Sequence, residues 1–294
     1  METVGVNVTH DASFCRCVNG EIDMFLEEER LSRKKHDNMP VKTVMELQES
    51  NFAGVTGLEY HDYSLRDTCN FFDVIFRKKI PDHDYRTYNQ HHYLHACCGF
   101  YNSGFEEADV VVVDGLGNFF DEEHHECATR WHIKKPAEIK LLERQGASRF
   151  GTKTDRHGYW PMGIGMAYAS ISDYLGFGQL GSGKVMGLAP YGKEDPNIKP
   201  FVIDGRVNSK LFYRTKYSAN FIPYDYLPEE VNIKDQRFMN LAYRLQKDFE
   251  KWMTNFILKC ESKNIVLTGG CALNCVANYE YLKHLPKDVK LYIE

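Results

Sequence analysis

The first thirty residues alternate between short apolar runs and turn residues, a pattern that predicts a β-meander. The three predicted strands cover residues 4–8, 13–18 and 21–26. Asn19-Gly20, between the second and third strands, is the strongest two-residue hairpin signal. A mixed charge run follows at residues 27–37, and a short helix is predicted at residues 41–49.

A second region of helix and strand begins near residue 90, where no helix breaker occurs before Gly99. Residues 108–113 form a continuous β-branched run, which is typical of a strand buried on both faces. Later apolar patterns predict five further elements. They are an antiparallel pair near residues 129–133 and 139–144, an amphipathic helix over 238–257, and strands at 265–268 and 289–293.

Composition and charge exclude several classes of protein. The chain has 294 residues, 43% hydrophobic and 26% charged, which is ordinary for a globular protein of one large or two ordinary domains. A net charge of -5 gives no overall basic excess for a nucleic-acid backbone. Neither a membrane-spanning apolar run nor an N-terminal signal pattern is present. The nine cysteines are scattered without a Cys-x-x-Cys pair, so we expect reduced thiols and a cytoplasmic protein.

His91 and His95 are four residues apart and therefore share one face of the predicted helix. This spacing allows two imidazoles to bind one metal ion, although packed or surface histidines have the same spacing. Asp114 follows the buried strand, at the edge where open α/β sheets place their ligands. Two histidines and one aspartate suit Fe(II), Mn(II) or Zn(II) and leave coordination positions open for substrate.

Three glycine- or aspartate-bearing turns follow predicted strands, at residues 9–12, 114–118 and 268–274. Glycines let backbone N–H groups approach an anion closely. The three turns together match the layout of a nucleotide held between two ribonuclease-H-like lobes, with two phosphate loops and one adenosine loop. Gly181-Ser182-Gly183-Lys184 is not a P-loop, because it lacks the required glycine spacing and a valine follows the lysine.

Six segments together resemble the nodulation-protein/antibiotic carbamoyltransferase family, and they occur in the family's order between residues 5 and 278. They are Gly5-x-x-x-x-His10-Asp11-Ala12-Ser13, Glu28-Glu29-Arg30-x-x-Arg33-x-Lys35-His36-Asp37, His91-His92-x-x-His95-Ala96, Val113-Asp114-Gly115, the run from Gly183 to Gly192, and Thr268-Gly269-Gly270-Cys271-Ala272-Leu273-Asn274-Cys275-x-Ala277-Asn278. The six segments together are a specific match to the family, although each segment alone is weak evidence for it.

The resemblance implies an α/β, actin-like ATPase fold of two ribonuclease-H-like lobes, followed in the family by a YrdC-like domain. We expect residues 1–150 to form the first lobe, with the phosphate loops and metal site. Residues 151–294 would form a truncated second lobe with an insertion and the adenosine loop. The implied reaction has two stages. The YrdC-like domain makes carbamoyladenylate from carbamoyl phosphate and ATP, and the actin-like domain passes the carbamoyl group to a hydroxyl acceptor.

The resemblance also implies roles for particular residues. His91, His95 and Asp114 would be three iron ligands, while the family's fourth ligand lies beyond the region present here. His10 would contact the carbamoyl or phosphate group as a general base, and Lys35 would supply a cation. The remaining implied positions bind the nucleotide: Asp11, Gly115, Gly117, Gly269, Gly270 and Asn274.

Two alternatives stand beside this O-carbamoyltransferase hypothesis. One is a non-catalytic or split nucleotide-binding fragment that needs a partner chain to complete its second lobe, with the YrdC-like domain also on a separate chain. The other is an actin-fold kinase or ATPase, which the histidine pair disfavours because such enzymes hold Mg²⁺ through carboxylates and phosphates. Only about twenty residues follow Asn274. We therefore expect an uncovered sheet edge, self-association into homo-oligomers or marginal stability, and no transfer by the chain unaided.

Overall fold

The structure is a computed structural model, and its elements are numbered here in chain order among the described residues. The described residues are 1–8, 11–38, 40–45, 54–59, 91–121, 123–148, 154–214 and 219–294. Two compact units divide the chain, Met1–Leu94 and His95–Glu294. The division falls within one continuous helix, which is described whole with the second unit.

The first unit contains the predicted meander. Strands β1 (Glu2–Val8), β2 (Ser13–Val18) and β3 (Glu21–Glu27) are antiparallel neighbours, and β4 (Gly54–Glu59) pairs in parallel with β1. The sheet order is therefore β3-β2-β1-β4. Asn19-Gly20 forms the predicted hairpin turn, with positive φ angles of 53° and 89°.

The charge run at residues 27–37 contains one residue with a structural role, Glu28, which the sequence pattern did not indicate. Residues Glu28–Ser32 form a short helix, α1, and Val41–Met45 form α2. The Glu28 carboxylate is buried and accepts the backbone N–H groups of Lys42 at 3.1 Å and Thr43 at 2.8 Å. It thereby satisfies otherwise unpaired donors at the start of α2.

A five-stranded sheet forms the centre of the second unit. Its order is β13-β12-β5-β6-β7, with β5, β6 and β7 antiparallel and β12 and β13 parallel to β5. The five strands are β5 (Glu107–Val113), β6 (His124–Lys134), β7 (Glu138–Ser148), β12 (Asn264–Thr268) and β13 (Lys290–Ile293). All the strands predicted here are confirmed, and β5 is fully buried from Val110 to Val113.

Helices and short hairpins complete the second unit. The helices are α3 (His91–Asn102), α4 (Ile164–Tyr174), α5 (Ser182–Leu188), α6 (Gln236–Ile257) and α7 (Cys275–His284). Two two-stranded hairpins consist of β8 (Val202–Ile203) with β9 (Arg206–Val207), and of β10 (Phe212–Arg214) with β11 (Ala219–Phe221). The predicted apolar stripe of α6 is buried in the hydrophobic core.

The structure confirms the α/β class, since helices and two main β-sheets alternate along the described residues. Strands before residue 150 and strands after it share one sheet, because Ile265–Thr268 pair in parallel with Asp109–Val112. The five described strands of this sheet therefore come from both sides of residue 150. The sequence pattern could not reveal this, since β5 and β12 are separated by more than 150 residues. Among the described residues, no helix has the length and apolarity needed to cross a lipid bilayer.

One buried ion-pair cluster joins the start of β5 to the loop before β12. Asp109 is buried, and its carboxylate lies 2.8 Å from His132 Nδ1 and accepts the N–H groups of Glu261 and Ser262. The other ring nitrogen of His132 lies 3.1 Å from Glu107. These contacts raise the pKa of His132, mainly through the hydrogen bond with Asp109.

This cluster predicts a pH-dependent contribution to stability. A histidine pKa that is raised in the folded state stabilises the fold fully below its unfolded value of about 6.5, and the contribution disappears as the pH rises through the folded pKa. We expect His132→Gln to lower the free energy of unfolding by about 1–2 kcal/mol at pH 6 and by less at pH 9. Urea denaturation measures this, with the exposed His284→Gln as control. An equal loss at both pH values would contradict it.

Candidate functional site

Helix α3 lies close against strand β12 because Gly99 has no side chain. A Cβ atom at Gly99 would lie 2.9 Å from Val266 Cγ1 and 3.2 Å from Thr268 Cβ. The Glu294 carboxylate links the two elements, because it accepts hydrogen bonds from Thr268 Oγ1 at 2.6 Å and Asn102 Nδ2 at 3.3 Å. These contacts set the position and rotation of the helix on the sheet.

The structure brings His91, His95 and Asp114 together. The two histidines are on one face of α3, and Asp114 follows the last residue of β5. All three side chains are half-buried, and one donor atom from each lies within 4.8 Å of the other two. The His95 Nε2 and Asp114 Oδ2 atoms are 3.5 Å apart.

The 3.5 Å separation fits two ligands of one ion better than it fits a hydrogen bond. An N–H···O hydrogen bond is normally about 2.7–3.2 Å long. Metal–ligand bonds of about 2.1 Å place neighbouring ligand atoms about 3.0–3.4 Å apart in octahedral or tetrahedral geometry. All three donors lie within 4.8 Å of one another, so they surround one space. The residues present therefore fit a divalent ion of the iron class.

The atoms of Asp114 occupy space that is open because Gly165 and Gly270 have no side chains. Its Oδ1 accepts the N–H of Gly115 at 2.7 Å, and its own N–H donates to the Cys127 carbonyl at 3.1 Å. A Cβ atom at Gly270 would lie 2.8 Å from Asp114 Oδ1, and one at Gly165 would lie 2.6 Å from the Asp114 carbonyl oxygen. Both distances are shorter than real Cβ contacts, so side chains at these positions would displace Asp114.

Two buried thiols near Asp114 remain neutral at physiological pH. Burial raises the pKa of Cys271 well above its usual range, and the charge of Asp114 raises it further. Burial likewise raises the pKa of Cys127 to about 12. The donor atoms that lie within 4.8 Å of one another are two imidazole nitrogens and one carboxylate oxygen, from His91, His95 and Asp114.

The glycine N–H groups predicted to bind phosphate already have acceptors within the protein. Gly115 donates to Asp114 Oδ1, and Gly117 donates to the Glu126 carbonyl at 2.7 Å. His125 Nδ1 lies 2.9 Å from the Gly117 carbonyl and further fixes the loop. A phosphate contact through either glycine N–H would have to replace these hydrogen bonds. The assignment of Gly115 and Gly117 stays a prediction.

The predicted adenosine loop lies beside the cluster of His91, His95 and Asp114, which is called the metal-type cluster below. Gly269 has a φ of 90°, and a Cβ atom there would lie 2.6 Å from the Val113 carbonyl oxygen. Gly270 begins a short 3-10 turn that ends at Leu273. The loops that follow β5 and β12 therefore adjoin at one edge of the sheet, as the sequence predicted for two of the three turns.

Asn274 has a structural environment that the sequence did not reveal. Its side chain is buried, accepts the Ala277 N–H at 3.0 Å, and exchanges two hydrogen bonds with the Gln246 amide at 2.9 and 3.1 Å. Gln246 also accepts from the Tyr168 hydroxyl and donates to Glu250. These contacts cap α7 and tie the loop to α6, and the nucleotide role of Asn274 stays a prediction.

The turn at Asp11 belongs to the first unit and has its own polar cluster. Asp11 Oδ1 lies 2.7 Å from His36 Nδ1, and Glu29 accepts the His36 N–H at 3.2 Å. Donor atoms of these three residues also lie within 4.8 Å of one another. The 2.7 Å contact is a normal hydrogen-bond length, so this cluster needs no ion to explain it. Lys35 is exposed in the adjacent turn, and His10 lies outside the described residues.

Sequence reasoning missed the residues that support the site. Gly99, Gly165 and Gln246 were not predicted to matter, although each fixes an element that carries a candidate site residue. The sequence held one usable signal, the Gly163-Ile164-Gly165 segment at the start of α4. Close backbone approach is a standard reason for such glycines. The amide pair between Gln246 and Asn274 leaves no local sequence signal.

The model of the carbamoyltransferase N-terminus family matches residues 71–293, and the chain belongs to that family. An uncharacterized protein of Synechocystis sp. is 24% identical over 336 residues, covering 93% of this chain and 51% of that protein. The nodulation protein NolNO of Sinorhizobium fredii is 24% identical over 311 residues, covering 93% of this chain and 42% of that protein. The chain thus spans about half the length of these curated relatives.

Solved structures also align along the whole chain at low similarity. The (R)-2-hydroxyglutaryl-CoA dehydratase component A of Acidaminococcus fermentans is 10% identical, with a TM-score of 0.46 and coverage of 100% of this chain and 92% of that chain. A ROK family glucokinase from Streptomyces griseus is 9% identical, with a TM-score of 0.41 and coverage of 100% and 94%.

The cluster predicts that the chain binds about one ferrous ion through His91, His95 and Asp114. The double variant His91→Ala/His95→Ala removes two of three donors, and we expect its iron affinity to fall by at least about 100-fold. Elemental analysis after anaerobic loading and desalting measures the bound iron. His284→Ala, which removes an exposed histidine on α7, should retain it. Equal iron in the wild type and the double variant would contradict the assignment.

Proposed function

We propose that the chain is the actin-like, acceptor-side module of an O-carbamoyltransferase. In this proposal it receives carbamoyladenylate, made from carbamoyl phosphate and ATP, and passes the carbamoyl group to a hydroxyl of a small-molecule or nucleoside acceptor. The observation that carries the proposal is the cluster of His91, His95 and Asp114, set beside a glycine-rich turn in a chain of the carbamoyltransferase N-terminus family.

An iron ion held by His91, His95 and Asp114 would supply Lewis-acid polarisation of the carbamoyl carbonyl. The protein's own contribution is to fix the donors in place before substrate arrives. Asp114 is fixed by Gly115 and by the close packing around its backbone, and the two histidines are fixed by the helix seated on β12. Such preorganisation is a major source of catalytic rate because the groups need no rearrangement during reaction.

The nucleotide would lie along the loop at Gly269 and Gly270. The absence of side chains there lets a planar base or ribose approach the backbone closely. In the first unit, Lys35 is an exposed cation that suits a phosphate or carbamoyl oxygen. His10 would serve as general base toward the acceptor hydroxyl, with the hydroxyl proton moving to its ring nitrogen.

A nucleotide-binding module that depends on a partner chain is the second candidate function. The observation that favours it is the close backbone approach at Gly269 and Gly270, which suits a nucleotide whether or not transfer follows. In this case the chain would bind nucleotide and supply no catalytic group. Localisation in the cytoplasm fits either function, because both ATP and carbamoyl phosphate are cytoplasmic metabolites.

The variant Gly270→Val tests the nucleotide loop. A side chain there overlaps Asp114 Oδ1 and occupies the exposed space in which the nucleotide would approach the backbone. We expect affinity for ATP, measured by calorimetry, to fall at least about tenfold, while the melting temperature changes little. Gly183→Val is the control, because a Cβ atom at Gly183 meets nothing within 4 Å. Equal ATP affinity in wild type and Gly270→Val would remove the adenosine-loop assignment.

Reconstitution tests the transferase proposal. We expect the chain alone to transfer no carbamoyl group from carbamoyl phosphate and ATP. Addition of the C-terminal part of the Sinorhizobium fredii relative, fused or as a separate protein, should raise the melting temperature and restore transfer. Labelled carbamoyl phosphate measures the product. Transfer by the chain alone would contradict the need for a partner, and nucleotide binding without transfer in the reconstituted protein would favour the second candidate.

A further inference from the structure

A cavity beside β7, a terminal strand of the five-stranded sheet, lies outside the site described above. It is lined by β7, by the turn between β8 and β9, and by one face of α6, and its volume is about 490 Å³. This volume is within the range of about 300–1,000 Å³ that small-molecule sites occupy. The lining residues include none of the metal-type cluster and none of the predicted nucleotide loop. The cavity is therefore a separate place at which a ligand could bind.

The walls of the cavity are fastened to one another within the protein. Trp252 Nε1 on α6 donates to the Gly205 carbonyl in the turn between β8 and β9, at 3.0 Å. Lys259, two residues after α6, pairs with Glu143 on β7 at 2.8 Å. These contacts hold the turn and the strand against the helix. The cavity is consequently preformed, as ligand sites usually are.

Side chains of both charges line the cavity. They are Arg244, Lys251 and Lys259, which are cationic, and Asp204 and Asp248, which are acidic. Arg244 Nε donates to Asp248 at 3.0 Å, so these two charges satisfy each other. Lys251 and Asp204 make no hydrogen bond or ion pair with any described residue, and neither does the side chain of Asn255. One ammonium, one carboxylate and one amide are thus available to a ligand.

The two available charges determine the class of ligand. An anion would be attracted by Lys251 and repelled by Asp204, and a cation would experience the reverse. A zwitterion meets both, with its carboxylate on the lysine and its ammonium on the aspartate, while the Asn255 amide can donate to the first and accept from the second. The rings of Trp252 and Phe256 stack with centroids 5.2 Å apart and line the same cavity, which suits an apolar group.

We propose that this cavity binds a small zwitterion of the α-amino-acid class with an apolar side chain. Binding forms no covalent bond and transfers no group. It is independent of the proposed transferase function, because the two sites share no residue. The variant His91→Ala/His95→Ala, which disables the metal-type cluster, should therefore bind the zwitterion like wild type.

Titration of the ¹⁵N-labelled full chain with L-leucine tests the proposal by NMR. The chain has three tryptophans, and the indole signal of Trp252, assigned with Trp252→Phe, should shift because its N–H lies in the cavity wall. We expect Lys251→Gln and Asp204→Asn each to weaken L-leucine binding by at least about tenfold, since each removes one charged partner. Lys287→Gln removes an exposed lysine outside the cavity and should bind like wild type. Circular dichroism confirms that each variant is folded.

Two analogues that each lack one charge of leucine test the ligand class. Isocaproate has no ammonium and isoamylamine has no carboxylate, and we expect both to bind at least about tenfold more weakly than L-leucine. Equal affinity for either analogue would refute the zwitterion. An unmoved Trp252 signal at tens of millimolar L-leucine, or unchanged affinity in Lys251→Gln or Asp204→Asn, would overturn the site. Loss of binding in His91→Ala/His95→Ala would show that the two sites are not separate.

Discussion

The Asp114 carboxylate, held at the end of a buried strand between glycine residues, is the group on which the site depends. Gly165 and Gly270 approach it so closely that a Cβ atom at either position would overlap Asp114 atoms, at 2.6 and 2.8 Å. Gly165 is buried and the overlap there is with the Asp114 backbone, so no side-chain movement would relieve it. The same packing brings the loop after β12 beside Asp114, while α3 presents His91 and His95 to the Asp114 carboxylate. The predicted metal ligands and the predicted nucleotide loop therefore both depend on the close packing around Asp114.

The two sheets repeat one arrangement of strands. In each, three antiparallel strands are followed by a strand that pairs in parallel with the first, giving β3-β2-β1-β4 and β7-β6-β5-β12. The turn after β1 and the turn after β5 therefore hold equivalent positions, each at the end of the first strand of its own sheet. Asp11 and Asp114 lie in these turns. The repeated strand arrangement therefore places an aspartate in the equivalent turn of each sheet.

Most of the strands and helices could be predicted because they follow from the local periodicity of apolar residues. The cluster of His91, His95 and Asp114 could be predicted because it depends on two such elements. The His91–His95 spacing requires only a helix, and Asp114 requires only the end of a buried strand. The pairing of Asp109 with Ile265 could not be predicted from the sequence, because it joins residues that are far apart along the chain. The Gln246–Asn274 amide pair and the buried Glu28 cap were also missed, since tertiary contacts alone give these polar residues their partners.

Anomalous diffraction at the iron edge, from crystals grown anaerobically with ferrous iron, tests the central claim most directly. The arrangement predicts one strong peak about 2.1 Å from a ring nitrogen of His91, a ring nitrogen of His95 and a carboxylate oxygen of Asp114. A peak at Asp11, Glu29 and His36 instead, or none at the histidine pair in iron-loaded crystals, would contradict the assignment of the metal centre on which the proposed function rests.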